Sequence, residues 1–286
     1  MRRPQELAKE VDTMQTIMEL TSVFEGIASM HIAQIRSKVL QSQEYFSTLW
    51  QIYSQLRVDN IFHFGRGQSE VRVLDKELYV AITAAGGFSG DIDQRLIKWM
   101  LSKYDHSKQE IVVIGHHGAI QLAQQGVEFK KYFKLPEQDS NMNVEPLVKE
   151  IQKYKSCTVF YQKYVSLATQ DVKNISLSKA VQELSQNEIK KGDEIITDQN
   201  YIFEPSTYAL LDHLERSMMQ ITLSQVILES KLAQYASRFR AMSAAHQKAN
   251  DSLFDSKMQF NRAKRAVKDE RLKETINSLR KIRLRV

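Results

Sequence analysis

Cys157 is the only cysteine in 286 residues. That excludes a disulfide framework and any cysteine-built zinc cluster, and it fits a reducing compartment. No uninterrupted apolar run approaches the ~20 residues needed to span a bilayer. The opening MRRPQELAKEVDTM turns acidic and amphipathic at once and lacks the apolar centre of a signal peptide. A soluble protein on the cytoplasmic side is the expectation. Glycine and proline are missing unevenly: all ten glycines lie between Gly26 and Gly192, and the four prolines are Pro4, Pro136, Pro146 and Pro205. Residues 206–286 contain neither. If wholly helical, that stretch would be about 120 Å long at the usual rise of ~1.5 Å per residue. No compact domain of this size is that wide, so the helix must project.

The chain does carry enough apolar sequence for a core: 42% of its residues are hydrophobic and 26% charged, which excludes a disordered polymer. Its charge is concentrated. Lys257–Val286 holds eleven Lys or Arg against three acids, a net of +8, whereas the whole chain is +6 and the remainder therefore −2. A basic tail usually suggests nucleic acid or a membrane surface. Here the cations are not interleaved with aromatics for base stacking, and Leu272, Ile276, Leu279 and Ile282 keep a helical apolar stripe. A solvated or protein-facing helix is the better reading. A nucleic-acid-binding coiled coil is the alternative, and it would bind duplex alone with a steep salt slope.

Apolar spacing makes both ends coiled-coil-like. In the C-terminal part, Leu211, Leu214, Met218, Ile221, Leu228, Leu232, Tyr235, Phe239, Met242, Ala249, Leu253, Phe260, Ala263 and Val267 follow a 3,4 rhythm. Gln225, His246 and Ser256 interrupt it. The N-terminal part repeats the rhythm through Leu7, Val11, Met14, Met18, Ala28, Ile32, Ile35, Val39, Phe46, Leu49, Tyr53 and Leu56, with Thr21, Glu25 and Ser42 as exceptions. Two such seams in one chain most simply pair antiparallel; a bundle with unseen breaks is the alternative. Between them, ELYVAITAA and EIVVIG read as buried strands, each followed by a helical stretch, GDIDQRLIKWMLSKY and GAIQLAQQG. EPLVKEIQKY adds a helix, and CTVFYQKYVSLATQDVKNISL reads as a strand hairpin. The expected fold class is α/β with long α: an antiparallel coiled coil of terminal helices and an inserted small Rossmann-like α/β domain. Its parts are a helix over 1–60, the inserted domain over 70–200 and a helix over 206–286.

Little chemistry is visible. AAGGFSGDID follows a strand and opens a helix, where a phosphate loop would sit, but it matches no phosphate-loop pattern and lacks a placed lysine. A tight turn is the reading. His116 and His117 are adjacent and would point apart on a strand, a poor metal pair. Cys157, at the start of a strand, is read as a core thiol. No nucleophile–base arrangement or cofactor fingerprint stands out.

Several motifs resemble the gamma subunit of the F-type ATP synthase. YIFEPSTYALLDHLERSMMQITLSQVILESKLAQYASRFRAM (Tyr201–Met242) resembles that family's Y-x-Y/F-E-P-x-x-x-A-L-L entry running on to S-E-x-x-A-R-M-x-A-M, with Arg238, Ala241 and Met242 matching and Ala236 one place from the pattern's first Ala. Asn250 falls on the second Asn of N-A-T-D-N-A, and NRAKRA (Asn261–Ala266) resembles N-[KR]-A-R-Q-A. GGFSGDID is similar to G-L-C-G-G-L-N and VIGHHG to I-G-x-K-G. The chain departs from the pattern where I-T-K-A-M-K-M-V-A reads LTSVFEGIA, so that Lys becomes Ser22 and Met becomes Phe24. It departs again at Arg265 (family Gln) and Asp269 (family Thr).

The resemblance implies a divergent, non-catalytic rotor of the central stalk, without a cofactor, metal or small-molecule substrate of its own and without nucleic acid. It implies alpha and beta subunits of a catalytic head as partners, with an epsilon subunit and a membrane c-ring at the foot, and a peripheral place on the cytoplasmic face of the cell membrane. Contacts with a beta catch loop are implied for Arg262, Lys264, Arg265, Lys268 and Asp269. Contacts with a beta lever region are implied for Ser22, Phe24, Glu25, Arg238 and Met242, and an upper bearing for Arg280, Lys281, Ile282 and Arg283. The axle of a related motor not used for synthesis is the alternative, and neither the working direction nor the coupling ion is legible.

Overall fold

The computed structural model describes residues 3–55, 74–137, 139, 142–177 and 207–283. Helix α1 runs Pro4–Gln55. Pro4 opens it where a missing N–H does no harm. The register read from the sequence is the one that is covered: Leu7, Ala28, Ile35 and Val39 are buried, and Val11, Met14, Met18 and Ile32 half-buried. Thr21, an exception in apolar terms, is buried too. Its Oγ1 donates to the carbonyls of Ile17 and Met18 at 2.9 Å, so the hydroxyl is satisfied inside the helix.

Strands β1 (Leu74–Ile82), β2 (Gln109–Ile114), β3 (Lys131–Phe133), β4 (Tyr154–Tyr164) and β5 (Gln170–Ser176) form one sheet in the order β3-β2-β1-β4-β5. Helices α2 (Ile92–Leu101), α3 (His116–Gln124) and α4 (Glu145–Ile151) connect them, and α5 runs Thr207–Arg283. β1, β2, β3 and β4 are parallel and β5 turns back antiparallel on β4. Alternation along the strands supplies two cores. Leu78, Val80 and Ile82 pack with Leu147, Val148 and Ile151 of α4 and with Met219, Leu223, Val226 and Ile227 of α5. Tyr79 and Ala81 pack on the other face with Leu96, Ile97 and Met100 of α2 and Leu122 of α3. The parallel strands β1, β2 and β4 are thus covered on both faces, as such sheets require, whereas the short edge strand β3 is largely exposed.

The chain divides into two compact units, Ala28–Arg238 and a second made of Met1–Ile27 with Phe239–Val286. In the first, Ile35 and Val39 of α1 cluster with Leu228 and Leu232 of α5, and His31 stacks on Tyr235 with ring centroids 4.5 Å apart. As α1 advances its α5 partners recede, which is antiparallel pairing. In the second, Glu25 of α1 lies 3.8 Å from His246 of α5, so that two polar interruptions of the seam meet. Met242, Ala249, Leu253 and Ser256 are buried there.

Three details differ from the sequence reading. Cys157 is the fourth residue of β4, not its first; it is buried, and burial pushes its thiol pKa up, the behaviour of an inert core thiol. His116 and His117 open α3 instead of continuing a strand. β3 was not foreseen, because three residues with one apolar partner carry no periodicity. Leu56, Tyr201–Pro205 of the motif and the side chains of Phe46, Leu49, Tyr53, Leu211 and Leu214 lie outside the described residues.

Candidate functional site

Two places deserve the test of geometry: the glycine loop at the end of β1, and the outer part of α5. In a doubly wound sheet, ligands lie beyond the carboxyl ends of the strands where the connections change direction. Here that point falls between β1 and β4, because β2 and β3 continue on one side of β1 and β4 on the other. The loop begins with Thr83, whose Oγ1 donates to the Ile114 carbonyl at 2.9 Å and accepts the Gly118 N–H at 3.0 Å. That tight junction dictates glycine at 115: its φ is +94° and an added Cβ would stand 2.0 Å from the Thr83 carbonyl oxygen. The turn brings His117 to Asp93, 24 residues earlier, at 2.8 Å.

The crevice is filled by the protein itself. Asp93 is fully buried and accepts the Gln162 amide at 2.7 Å and the Ala84 N–H at 3.3 Å. Gln162 takes the hydroxyl of Ser230 from α5, and Gln234 donates to both Ser230 (3.0 Å) and Gln162 (3.3 Å). One turn on, the Ser237 hydroxyl donates to the Ser89 carbonyl at 2.6 Å, and Arg238 donates to Gly86 and Gly87 carbonyls at 3.3 and 3.2 Å. A phosphate loop offers N–H groups to an anion; this one offers carbonyls to a serine and an arginine. The turn seats a helix, as its lack of a phosphate-loop pattern suggested. Below it, Lys231 is buried and donates to the Pro136 carbonyl at 2.7 Å and to Asp139.

None of these α5 anchors was singled out by the seam, because Ser230, Lys231, Gln234 and Ser237 lie off the 3,4 register. One signal was present: Gln162, a polar residue inside the apolar run of β4. Asp93 and His117 also stand where the two quoted family patterns read Asn and Lys.

The second place is open. From Lys268 to Arg280 every residue of α5 is exposed, including Leu272 (60%), Ile276 (51%) and Leu279 (60%). Arg262, Lys264, Arg265, Lys268 and Asp269 are exposed, with the Lys264 ammonium 5.8 Å from the Phe260 ring centre. Among the described residues no ion pair joins Arg265 to Asp269. Ser22 and Phe24 are exposed on α1, Glu25 is half-buried beside His246, and Met242 is buried. Arg238 is engaged within its own chain and also lies 5.1 Å over the Tyr235 ring. Arg280 is exposed; Lys281, Ile282 and Arg283 belong to α5, but their side chains lie outside the described ones. Among the described residues no helix is long and apolar enough to cross a membrane.

Known proteins share this arrangement. A family model described as ATP synthase matches residues 3–279. The ATP synthase gamma chains of Staphylococcus aureus strains JH9 and Newman are each 26% identical over 217 residues, covering 72% of this chain and 73% of theirs. A chain from the rotor of Euglena gracilis mitochondrial ATP synthase aligns with a TM-score of 0.62 at 14% identity, covering 92% of this chain and 99% of that one. A chain from the central stalk and c-ring of the Tetrahymena thermophila mitochondrial enzyme gives 0.57 at 14% identity, covering 79% and 99%. With a family model spanning residues 3–279 and this helix–sheet–helix fold, the chain belongs to the ATP synthase family, among its gamma chains.

Proposed function

We propose that this chain is the non-catalytic axle of an F-type rotary ATPase, with its outer α5 turning inside a ring of alpha and beta subunits. The observation that carries this reading is the stretch Lys268–Arg280, an exposed helix with an apolar stripe and basic flanks that its own chain leaves uncovered. An asymmetric basic rod meets a given acidic beta loop at one rotary angle only. A contact that differs between beta conformations shifts their populations, whereas equal contacts with all of them shift nothing. Arg262, Lys264, Arg265, Lys268 and Asp269 are the residues assigned to the catch-loop contact. Ser22, Phe24, Glu25, Arg238 and Met242 are assigned to the lever region, and Arg280, Lys281, Ile282 and Arg283 to the bearing.

The three-part division into 1–60, 70–200 and 206–286 follows the same logic of inner helix, foot and shaft. The foot meets an epsilon subunit and a c-ring, on the cytoplasmic face of the membrane. The solved relatives described as a rotor and as a central stalk with c-ring support that placement. Reconstitution tests it. The chain should copurify with alpha and beta subunits, have no ATPase activity alone, and form a disulfide from a cysteine at Leu272 to the beta ring. Activity of the isolated chain, or tight duplex binding in place of assembly, would overturn the reading.

A further inference from the structure

A fully buried carboxylate is costly unless it is paired and hydrogen-bonded. Asp93 is such a group, and the cation that reaches it is the His117 imidazole, 31% exposed in its side chain. An ionised carboxylate only accepts, so the His117 Nδ1 carries the shared proton. On its other oxygen Asp93 takes the Gln162 amide, which fixes the Gln162 carbonyl toward Ser230 and Gln234. An imidazole open to solvent is therefore joined through two buried side chains to the face of α5. We propose that His117–Asp93–Gln162–Ser230/Gln234 is a proton-sensitive clasp: protonated His117 holds α5 against the strand ends, and loss of the proton loosens it.

The surroundings leave Asp93 as the charge that governs His117. From the end of β1, the Ala84 carbonyl accepts the backbone N–H of His117 at 3.0 Å, a contact that carries no charge. From β4 and α5 come the neutral Gln162, Ser230 and Gln234. Arg238, the charged group of α5 at this end, is spent on the Gly86 and Gly87 carbonyls. Just ahead of α2, Asp91 pairs with Arg95 of that helix at 3.3 Å, and on α3 itself the neighbour is the exposed His116. The hydrogen bond to Asp93 raises the His117 pKa above its usual 6.5 against the opposing effect of partial burial. A raised folded-state pKa gives stability that is fully present below the unfolded value and is lost as pH rises through the folded one. The clasp is closed in mild acid and weakens toward alkaline pH. Neutral His117 still donates one hydrogen bond, but Asp93 is then a buried anion without a cation, which strains every bond that follows. This device holds whether or not the chain turns.

The full-length chain tests it without partners. Hydrogen exchange across residues 230–237, expressed as protection over the intrinsic rate at each pH, should fall severalfold as pH rises from mild acid to the alkaline side of neutrality. In His117→Gln, which keeps a donor but cannot titrate, the change should be under about twofold by the same linkage. A flat wild-type profile, or an undiminished fall in His117→Gln, overturns the proposal. Should that variant fail to fold, the ring-proton NMR titration of wild-type His117 decides. A midpoint above 6.5 that coincides with the fall in protection supports the clasp, and a midpoint at or below 6.5 overturns it.

Discussion

Two stretches of the same helix behave in opposite ways. Between Ser217 and Phe239 no residue of α5 is exposed, and both its seam (Met218, Leu228, Leu232) and its sheet-facing side (Met219, Leu223, Val226, Ile227) are buried. Between Lys268 and Arg280 every residue is exposed. Neither contains glycine or proline, so local propensity does not separate them. What differs is the partner surface. Most helical stability in a protein comes from packing a face, and the first stretch has that packing within its chain, while the described hydrogen bonds of the second stay within the helix itself. The helix is a structural member at one end and a ligand-like surface at the other.

Truncating the packed stretch breaks this contrast most strongly. Leu223→Ala leaves a cavity between α5 and the sheet and should cost about 4 kcal/mol, read as a large drop in the urea midpoint of the full chain. Lys231→Met comes next. It leaves Asp139 without its cation and the Pro136 carbonyl without its donor, for a loss of about 3 kcal/mol by the same measurement. A loss below about 1 kcal/mol, typical of a surface pair, would mean that this stretch is not anchored by the lysine.

The exposed stretch should respond in assembly instead of stability. Arg265→Ala should leave the melting of the isolated chain unchanged but lower ATP hydrolysis by the reconstituted complex about tenfold, the equivalent of about 1.4 kcal/mol. An unchanged rate with intact assembly would move the coupling role to another residue. The smallest expected effect is that of Ile276→Ala on the isolated chain, within about 0.5 kcal/mol in denaturation. A larger loss would mean that the outer helix is covered within its own chain after all.

Much of the fold was legible because it repeats. The seams set which side of α1 and α5 is covered, and even the polar interruptions Thr21 and Ser256 lie on the buried side. β1 and β2 were visible as β-branched runs followed by glycines, and β4 and β5 as a hairpin, whereas β3 was not visible. The anchoring of α5 was not, because its parts are brought together only by the tertiary fold. Asp93 meets His117 and Gln162 across separations of 24 and 69 residues, and Gln162 meets Ser230 across 68. No local period encodes such a meeting. The outer site was legible as a basic, apolar-striped helix, but its individual contacts depend on partners whose surfaces this sequence does not contain.

The core that α5 completes also affects how the chain is made. Leu78, Val80, Ile82 and Val159 share that core with Met219, Leu223, Val226 and Ile227, yet the strands are synthesised well before the helix that caps them. From the end of β5 at Ser176 to Met219 the ribosome must add 43 more residues, the difference of the two positions. At typical elongation rates that interval is roughly two to nine seconds. For that time the nascent sheet presents an uncovered aliphatic face, and a translational pause before Met219 would prolong it. Biosynthesis is therefore a stage at which an apolar face that the finished fold covers stands open, and slowing the codons between β5 and α5 should divert more of the chain into aggregates.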